Sequence, residues 1–108
     1  MTLAGGTATV GADITSSGDA IDFSTGQVTL ITNSSIDTTI AAGNPVGADV
    51  TIGGILTDDG INLDLTIDAG TGGAINFSGV DAAGAVNINN LTISNAASFT
   101  AAGNLTLN

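Results

Sequence analysis

Hydrophobic and polar residues alternate along many short stretches of this chain, with a period of two. The longest stretch runs from Ile61 to Asp68, where four aliphatic residues alternate with four polar ones. Successive side chains of a β-strand point to opposite faces, so one face of each stretch is apolar and the other is polar. The pattern predicts strands at 21–23, 28–30, 50–52, 61–68, 75–77, 86–88, 91–93 and 105–107.

Glycine and asparagine separate these stretches. Gly53-Gly54, Asp58-Asp59-Gly60 and Gly70-Thr71-Gly72-Gly73 are examples, and such residues favour tight turns because they tolerate a positive φ. No stretch has the 3.6-residue apolar period of a helix, and Glu, Lys and Arg are absent. The sequence therefore predicts an all-β protein.

Three segments of the chain recur. Residues 10–15 resemble 46–51, residues 18–24 resemble 72–78, and residues 41–44 resemble 101–104. The first two separations share a divisor of about 18, which is close to one turn of a β-solenoid, while the third does not fit it; we therefore expect turns of about 18 to 22 residues. We therefore predict one module over residues 1–108: an uncapped parallel β-helix (β-solenoid) of about five to six turns, with Gly/Asn-rich corners and belonging to a longer repeat array or fibre.

The charge of the chain excludes several classes of function. All ten charged side chains are Asp, the net charge is −10, and Lys, Arg, His and Cys are absent. Nucleic acids and anionic membranes are bound by cationic side chains, common zinc and haem sites need His or Cys, and Ser–His and Cys–His catalysis needs His. We predict no enzyme activity, catalytic residue, cofactor or membrane insertion. We also expect the carboxylates to be spread among different rows of a sheet, because aligned carboxylates repel.

Two sets of residues could bind a ligand or carry a modification. Asp58, Asp59, Asp64 and Asp68, with Asn62, form the densest group of oxygen ligands and could bind calcium weakly; no EF-hand pattern is present, so a solvated turn is the preferred interpretation and no metal site is assigned. The sequence Asn-x-Ser/Thr marks possible glycosylation sites at Asn33, Asn76, Asn90 and Asn104.

Two phrases of the sequence resemble a known class of repeats. They are Asp68 to Val80, which reads DAGTGGAINFSGV, and Ala102 to Asn108, which reads AGNLTLN. Both are similar to repeats of giant bacterial surface adhesins of the filamentous-haemagglutinin-like and autotransporter-like kinds. The resemblance implies a right-handed parallel β-helix that is secreted to the cell surface as a stalk or filament. It implies no catalytic residue.

The sequence thus predicts a structural module of an extracellular fibre or adhesin stalk, as found in biofilms, which self-assembles end to end through strand stacking. Its partners would be copies of itself or flanking repeats, stacked head to tail, with weak binding of divalent cations or glycans. One alternative is a pilin-like β-sandwich subunit whose residues 2–10 complete the sheet of a neighbour. Another is a calcium- or carbohydrate-binding adhesion domain. Parallel strands favour the first interpretation, and antiparallel strands favour the pilin-like one.

Overall fold

Short β-strands form the regular secondary structure of the part of the chain that the structure describes. The structure is a computed structural model, and it describes residues 1–2, 6–23, 27–40, 43–53, 56–58, 60–77 and 88–102. Its strands are β1 (Thr7–Val10), β2 (Ile14–Thr15), β3 (Ile21–Phe23), β4 (Gln27–Leu30), β5 (Ser34–Asp37), β6 (Val50–Ile52), β7 (Leu56–Asp58), β8 (Asp64–Asp68), β9 (Ala74–Phe77), β10 (Asn90–Asn95) and β11 (Ser98–Ala101).

The strands belong to three small sheets. The first sheet has the order β1-β4-β7, the second sheet β2-β5-β8-β10, and the third sheet β3-β6-β9-β11. From β1 to β9 the chain visits the first, second and third sheets in turn. Every strand pair between described residues is parallel, which is possible because each strand returns to its sheet only after the chain has passed through the other two.

The predicted β-solenoid of about five to six turns is wrong. The strands lie in three separate sheets and do not form one continuous helix, and each sheet contains only three or four described strands. The predicted period of about 18 to 22 residues is also too short. One row of the second sheet contains Ile14, Ile36, Ile67 and Ile93. Of the three separations between successive members, only the one from Ile14 to Ile36 lies within the predicted range.

The recurring sequences explain why the predicted period is too short. Ile21 and Ile75 come from the repeated segments 18–24 and 72–78, and Val50 lies between them in the same row of the third sheet. The distance along the sequence between the two segments therefore spans two strand-to-strand intervals of unequal length, which meet at Val50. The predicted period had divided the same distance into three equal intervals. The segments 10–15 and 46–51 do not even share a sheet, since the strand residues of the first belong to β1 and β2 and those of the second to β6.

The connections between the second and third sheets have very different lengths. Residues 16–20, 38–49, 69–73 and 96–97 lie between successive strands of these sheets. They contain five, twelve, five and two residues, as their bounds show. Because the corners differ so much, the sequence carries no fixed period even though the strands stay in register.

The core lies between the sheets and consists of one cluster of aliphatic residues with two phenylalanines. Buried and partly exposed positions alternate along the strands, for example from Asp64 to Asp68 in β8, as the alternating sequence predicts. The predicted strand at 61–68 is shorter in the structure, because it begins at Asp64 and Ile61 is 58% exposed. The buried members of the core are Val10, Ile21, Phe23, Val28, Leu30, Ile36, Val50, Ile52, Leu56, Leu63, Leu65, Ile67, Ala69, Ile75, Phe77 and Ile88.

The segment proposed as a donated strand pairs within its own chain. Thr7–Val10 forms β1 and is in parallel register with β4, and Thr2 makes a parallel bridge with Asp22. A pilin-like β-sandwich is built from antiparallel pairs. Among the described residues the antiparallel geometry is found in a single isolated bridge, between Ser17 and Thr39.

Candidate functional site

The predicted acidic cluster is divided between two strands and the segment that joins them. Asp58 ends β7, Asp59 lies outside the described residues, and Asp64 and Asp68 are the two ends of β8. Both carboxylates of β8 are engaged by neighbours. Asparagine side chains of residues 89 and 90 donate to Asp64 Oδ1 over 2.8 and 2.9 Å. Across the described ranges, no three acidic residues are grouped closely enough to bind a metal ion.

Asp68 bridges two neighbouring parts of the chain. Its Oδ1 accepts a hydrogen bond from the backbone N–H of Gly70 at 2.9 Å, and its Oδ2 accepts one from the Asn95 side chain at 3.2 Å. Asn95 also lies next to Asp68 in the register of β10 and β8. The asparagine side chains of β10, and of the residue before it, therefore donate hydrogen bonds to the two carboxylates of β8. The chain has no cationic side chain that could take this role.

One pair of carboxylates is aligned, contrary to the expectation that they would be spread. Asp37 of β5 is the register partner of Asp68 of β8. Asp37 Oδ1 accepts hydrogen bonds from both the N–H and the hydroxyl of Thr39, each at 2.6 Å. Local donors thus solvate each carboxylate separately, which offsets part of the repulsion between two like charges on adjacent strands.

A second role of Asp and Asn recurs at the residue directly before a strand. Asp13, Asn33 and Asp49 each precede a strand by one residue. Their side-chain oxygens accept the backbone N–H of Ser35 at 2.8 Å, Asp64 at 2.9 Å and Ala74 at 2.8 Å, respectively. In each case the donor is the residue opposite the acceptor on the next strand of the same sheet. We call these three contacts the strand-entry caps.

The strand-entry caps are missing from the sequence-based predictions, although a signal for them is present. The recurrence of residues 10–15 at 46–51 places Asp13 and Asp49 at equivalent points. That recurrence does not mark the spacing of strands in a sheet. It marks the acceptor that each cap requires directly before a strand.

The long corner at residues 38–49 is held by a buried hydroxyl group. Thr38 is fully buried; its Oγ1 accepts the Ala48 N–H at 2.9 Å and donates to the Ala48 carbonyl oxygen at 3.0 Å. The Thr38 N–H donates to the Asp68 carbonyl oxygen at 2.9 Å. Through these hydrogen bonds, Thr38 connects the beginning of the corner to its end at Ala48 and attaches the corner to β8.

The same corner packs backbone against backbone with the connection at residues 69–73. The N–H groups of Thr71 and Gly72 donate to the carbonyl oxygens of Pro45 and Val46 at 3.0 and 2.8 Å. Gly47 has a φ of +63°, and a Cβ atom at this position would clash with the Ala69 carbonyl oxygen. Only glycine fits both the conformation and the space at residue 47.

The two ends of the second and third sheets differ from the middle. One end, which we call the first end, consists of β2 and β3, and the other, the last end, consists of β10 and β11. At the first end, Met1 and Thr2 lie along β3, where the Met1 carbonyl oxygen accepts the Asp22 N–H at 2.8 Å. The first end also has a cavity of about 430 Å³, lined by residues 7–14 and Phe23.

The last end exposes apolar residues that belong to the core rows. Phe99 is the register partner of the fully buried Ile75, yet it is 41% exposed. Its ring meets that of Phe77 edge to face, with centroids 5.4 Å apart. Leu91 and Ile93 are half-buried, whereas their row neighbours Leu65 and Ile67 are fully buried.

The four possible glycosylation sites have different surroundings. The Asn33 side chain is an acceptor in a strand-entry cap, and the Asn90 side chain donates to Asp64. Asn76 is half-buried in β9, and Asn104 lies outside the described residues. Two of the four amides are therefore already part of the hydrogen bonding between strands.

Comparison with known proteins identifies no family. Within its described ranges, the chain contains no helix that is both apolar and long enough to span a bilayer. The resemblance to adhesin repeats stays a prediction. The chain matches no family model, no curated protein and no solved structure with which it was compared.

Proposed function

We propose that this chain is a structural module of an extracellular fibre or adhesin stalk. Copies of the module, or flanking repeats of a longer protein, would join end to end by adding strands to the second and third sheets. The proposal needs no pocket and no reactive group. It assigns to the chain the role of a spacer whose value lies in its length and stiffness.

The observation that carries the proposal is the position of the outer strands. The second and third sheets both have early strands, β2 and β3, at one edge and late strands, β10 and β11, at the other. Outer strands of a sheet present unpaired backbone groups that can pair with another chain. Both sheets end on the same two sides. One incoming copy would therefore extend the second sheet at β2 and the third sheet beyond Met1 and Thr2, which already pair with β3.

The lateral surface of the strands supports the same role. The outward rows contain mainly short polar side chains, such as Ser35, Thr66 and Thr92 in neighbouring strands. Stacked rows of this kind suit a repetitive solvent-facing wall. The absence of Lys and Arg from the whole sequence also removes every cleavage site for trypsin-like proteases, which suits a protein exposed outside the cell.

The test is a tandem protein in which two copies are joined by a flexible Gly/Ser linker. Repeats that stack gain an interface term, so the tandem is expected to melt at a higher temperature than a single copy at equal mass concentration. Negative-stain images are expected to show one straight rod. Melting at the temperature of the single copy, together with images of two separate particles, would overturn the proposal.

A further inference from the structure

We infer that copies of this chain associate in one direction only, with the last end of one copy against the first end of the next. This inference rests on the proposed function and specifies its partner, a second copy of this chain, and the polarity of the contact. Three independent features of the described residues point to this polarity: the strand edges, the apolar rows and the distribution of charge.

The strand edges provide a template for the contact. Within the chain, β10 pairs with β8, β8 with β5, and β5 with β2, always in parallel. A second copy that places its β2 on β10 repeats the same type of pairing. A copy that presents its own β10 to β10 would have to form an antiparallel pair, which no two strands of the described chain form.

The apolar rows are incomplete at both ends. Ile14 at the first end and Ile93 at the last end are half-buried members of one row whose middle members, Ile36 and Ile67, are buried. The first end has the open cavity beside Phe23. Bringing the two ends together would continue the row of isoleucines and cover the half-buried groups, which is favourable because apolar area leaves water.

The charges distinguish the two ends. The first end and its turns contain Asp13, Asp19 and Asp22, whereas residues 88–102, which include the whole last end, contain no charged residue. Asp58 lies on β7, in the first sheet, which the proposed contact does not use. Two first ends would bring six carboxylates together, and like charges without counter-charges disfavour such a contact. A last end against a first end avoids this repulsion.

The register identifies the residues that would meet. Thr92 is the partner of Thr66, Thr66 is the partner of Ser35, and Asp13 lies opposite Ser35, whose N–H it caps. Continuing this row from one copy to the next places Thr92 beside Asp13 of the second copy. Thr92 and Asp13 are both exposed in the single chain, so the side chain at residue 92 can be changed without disturbing the core.

The experiment compares Thr92→Lys with Thr92→Asp by sedimentation equilibrium of the full chain in about 0.15 M NaCl. In the inferred polarity, the side chain at residue 92 of one copy lies beside Asp13 of the next copy. A positive charge at residue 92 is therefore attracted to that carboxylate, and a negative charge is repelled by it. We expect the association constant to rise about threefold for Thr92→Lys and to fall about threefold for Thr92→Asp, as exposed charge pairs of this kind predict. Thr66→Lys and Thr66→Asp carry the same charges on β8 and control for net charge; we expect their effects to be clearly smaller.

Each other result overturns the inference. If two last ends meet, both substitutions at residue 92 place like charges together and both weaken association. If two first ends meet, the substitutions at residue 92 act no differently from those at residue 66. If the unaltered chain stays monomeric up to about 1 mM, no directed contact exists. The tandem protein still tests the proposed function in each of these cases, so the two failures are distinguishable.

Discussion

The middle strands and the end strands of the second sheet contain the same residue in the same row, but they bury it to different extents. Ile36 and Ile67 are 1% and 0% exposed, whereas Ile14 and Ile93 are only half-buried. All four are isoleucines that point toward the core from parallel strands in register. The difference shows that burial in this molecule depends on having a neighbouring strand on both sides.

The hydrogen bonding shows the same contrast between the middle and the ends. The carboxylate of Asp68, in the third strand of the second sheet, accepts hydrogen bonds from its own turn and from the next strand. Asn95, in the outermost strand, donates inward to Asp68 and is itself exposed. We therefore expect the middle strands β5, β6, β8 and β9 to contribute most of the free energy of folding. Matched substitutions in middle and end strands can measure the difference.

The largest effect is expected for truncation of a middle isoleucine. Ile67→Ala removes a fully buried side chain and leaves a cavity between strands that cannot collapse, so the free energy of unfolding should fall by about 3 kcal/mol. Ile93→Ala, in the same row at the last end, should cost about 1 kcal/mol because half of that side chain already contacts water. Urea denaturation of both variants measures the difference. Equal losses would show that the ends are as well packed as the middle.

A smaller effect is expected from adding one methyl group to a corner. Gly47→Ala places a Cβ atom against the Ala69 carbonyl oxygen at a residue with positive φ, and we expect a loss of about 2 to 3 kcal/mol. Gly6 also has a positive φ, of +76°, but its surroundings are open, and a Cβ atom there would meet nothing within 4 Å. Gly6→Ala therefore controls for the backbone conformation and should cost only about 1 kcal/mol.

Thermal denaturation of the two glycine variants, followed by circular dichroism, would measure this contrast. Equal melting temperatures would mean that the close approach of residues 47 and 69 contributes nothing to stability. The corner at residues 38–49 would then be a loose loop, and the buried hydroxyl of Thr38 would be its main attachment.

The smallest effect is expected for the strand-entry caps. Asp49→Ala leaves the N–H of Ala74 without its side-chain acceptor and should cost about 1 kcal/mol. Asp49→Asn keeps an acceptor oxygen, as Asn33 does naturally in the second sheet, and should stay within about 0.5 kcal/mol of the unaltered chain. The corresponding pair at the first end, Asp13→Ala and Asp13→Asn, tests whether a cap at an end strand contributes less. If Asp49→Asn and Asp49→Ala lower the free energy of unfolding equally in urea denaturation, the hydrogen bond of the cap does not contribute to stability.

The positions of several strands could be predicted because their signal is local. The alternation at 21–23, 50–52 and 75–77 coincides with β3, β6 and most of β9. The alternation at 28–30 and 91–93 falls within β4 and β10. The predicted strand at 105–107, and residues 86 and 87 of the one at 86–88, lie outside the described residues. Alternation specifies which face of a strand is buried, and it needs no knowledge of the partner strand.

The arrangement of the strands could not be predicted, because it depends on contacts between distant residues. Nothing in the sequence near Thr38 shows that its hydroxyl bonds to Ala48, at the other end of the same corner. The seven extra residues in this corner, relative to the two five-residue corners, shift all later strands along the sequence. A period inferred from two recurring phrases therefore predicted a single continuous helix of about five to six turns, whereas the described strands form three separate sheets.

The strand-entry caps have a consequence for how such a chain can change in length. Each cap needs one specified side chain, the acceptor, because its donor is a backbone N–H that every residue except proline supplies. The three donors are in fact a serine, an aspartate and an alanine. A duplicated segment would bring its own acceptor and find a donor on whichever strand follows it. Gene duplication could thus lengthen the protein without matching substitutions elsewhere, and differences in corner length would accumulate without breaking the register.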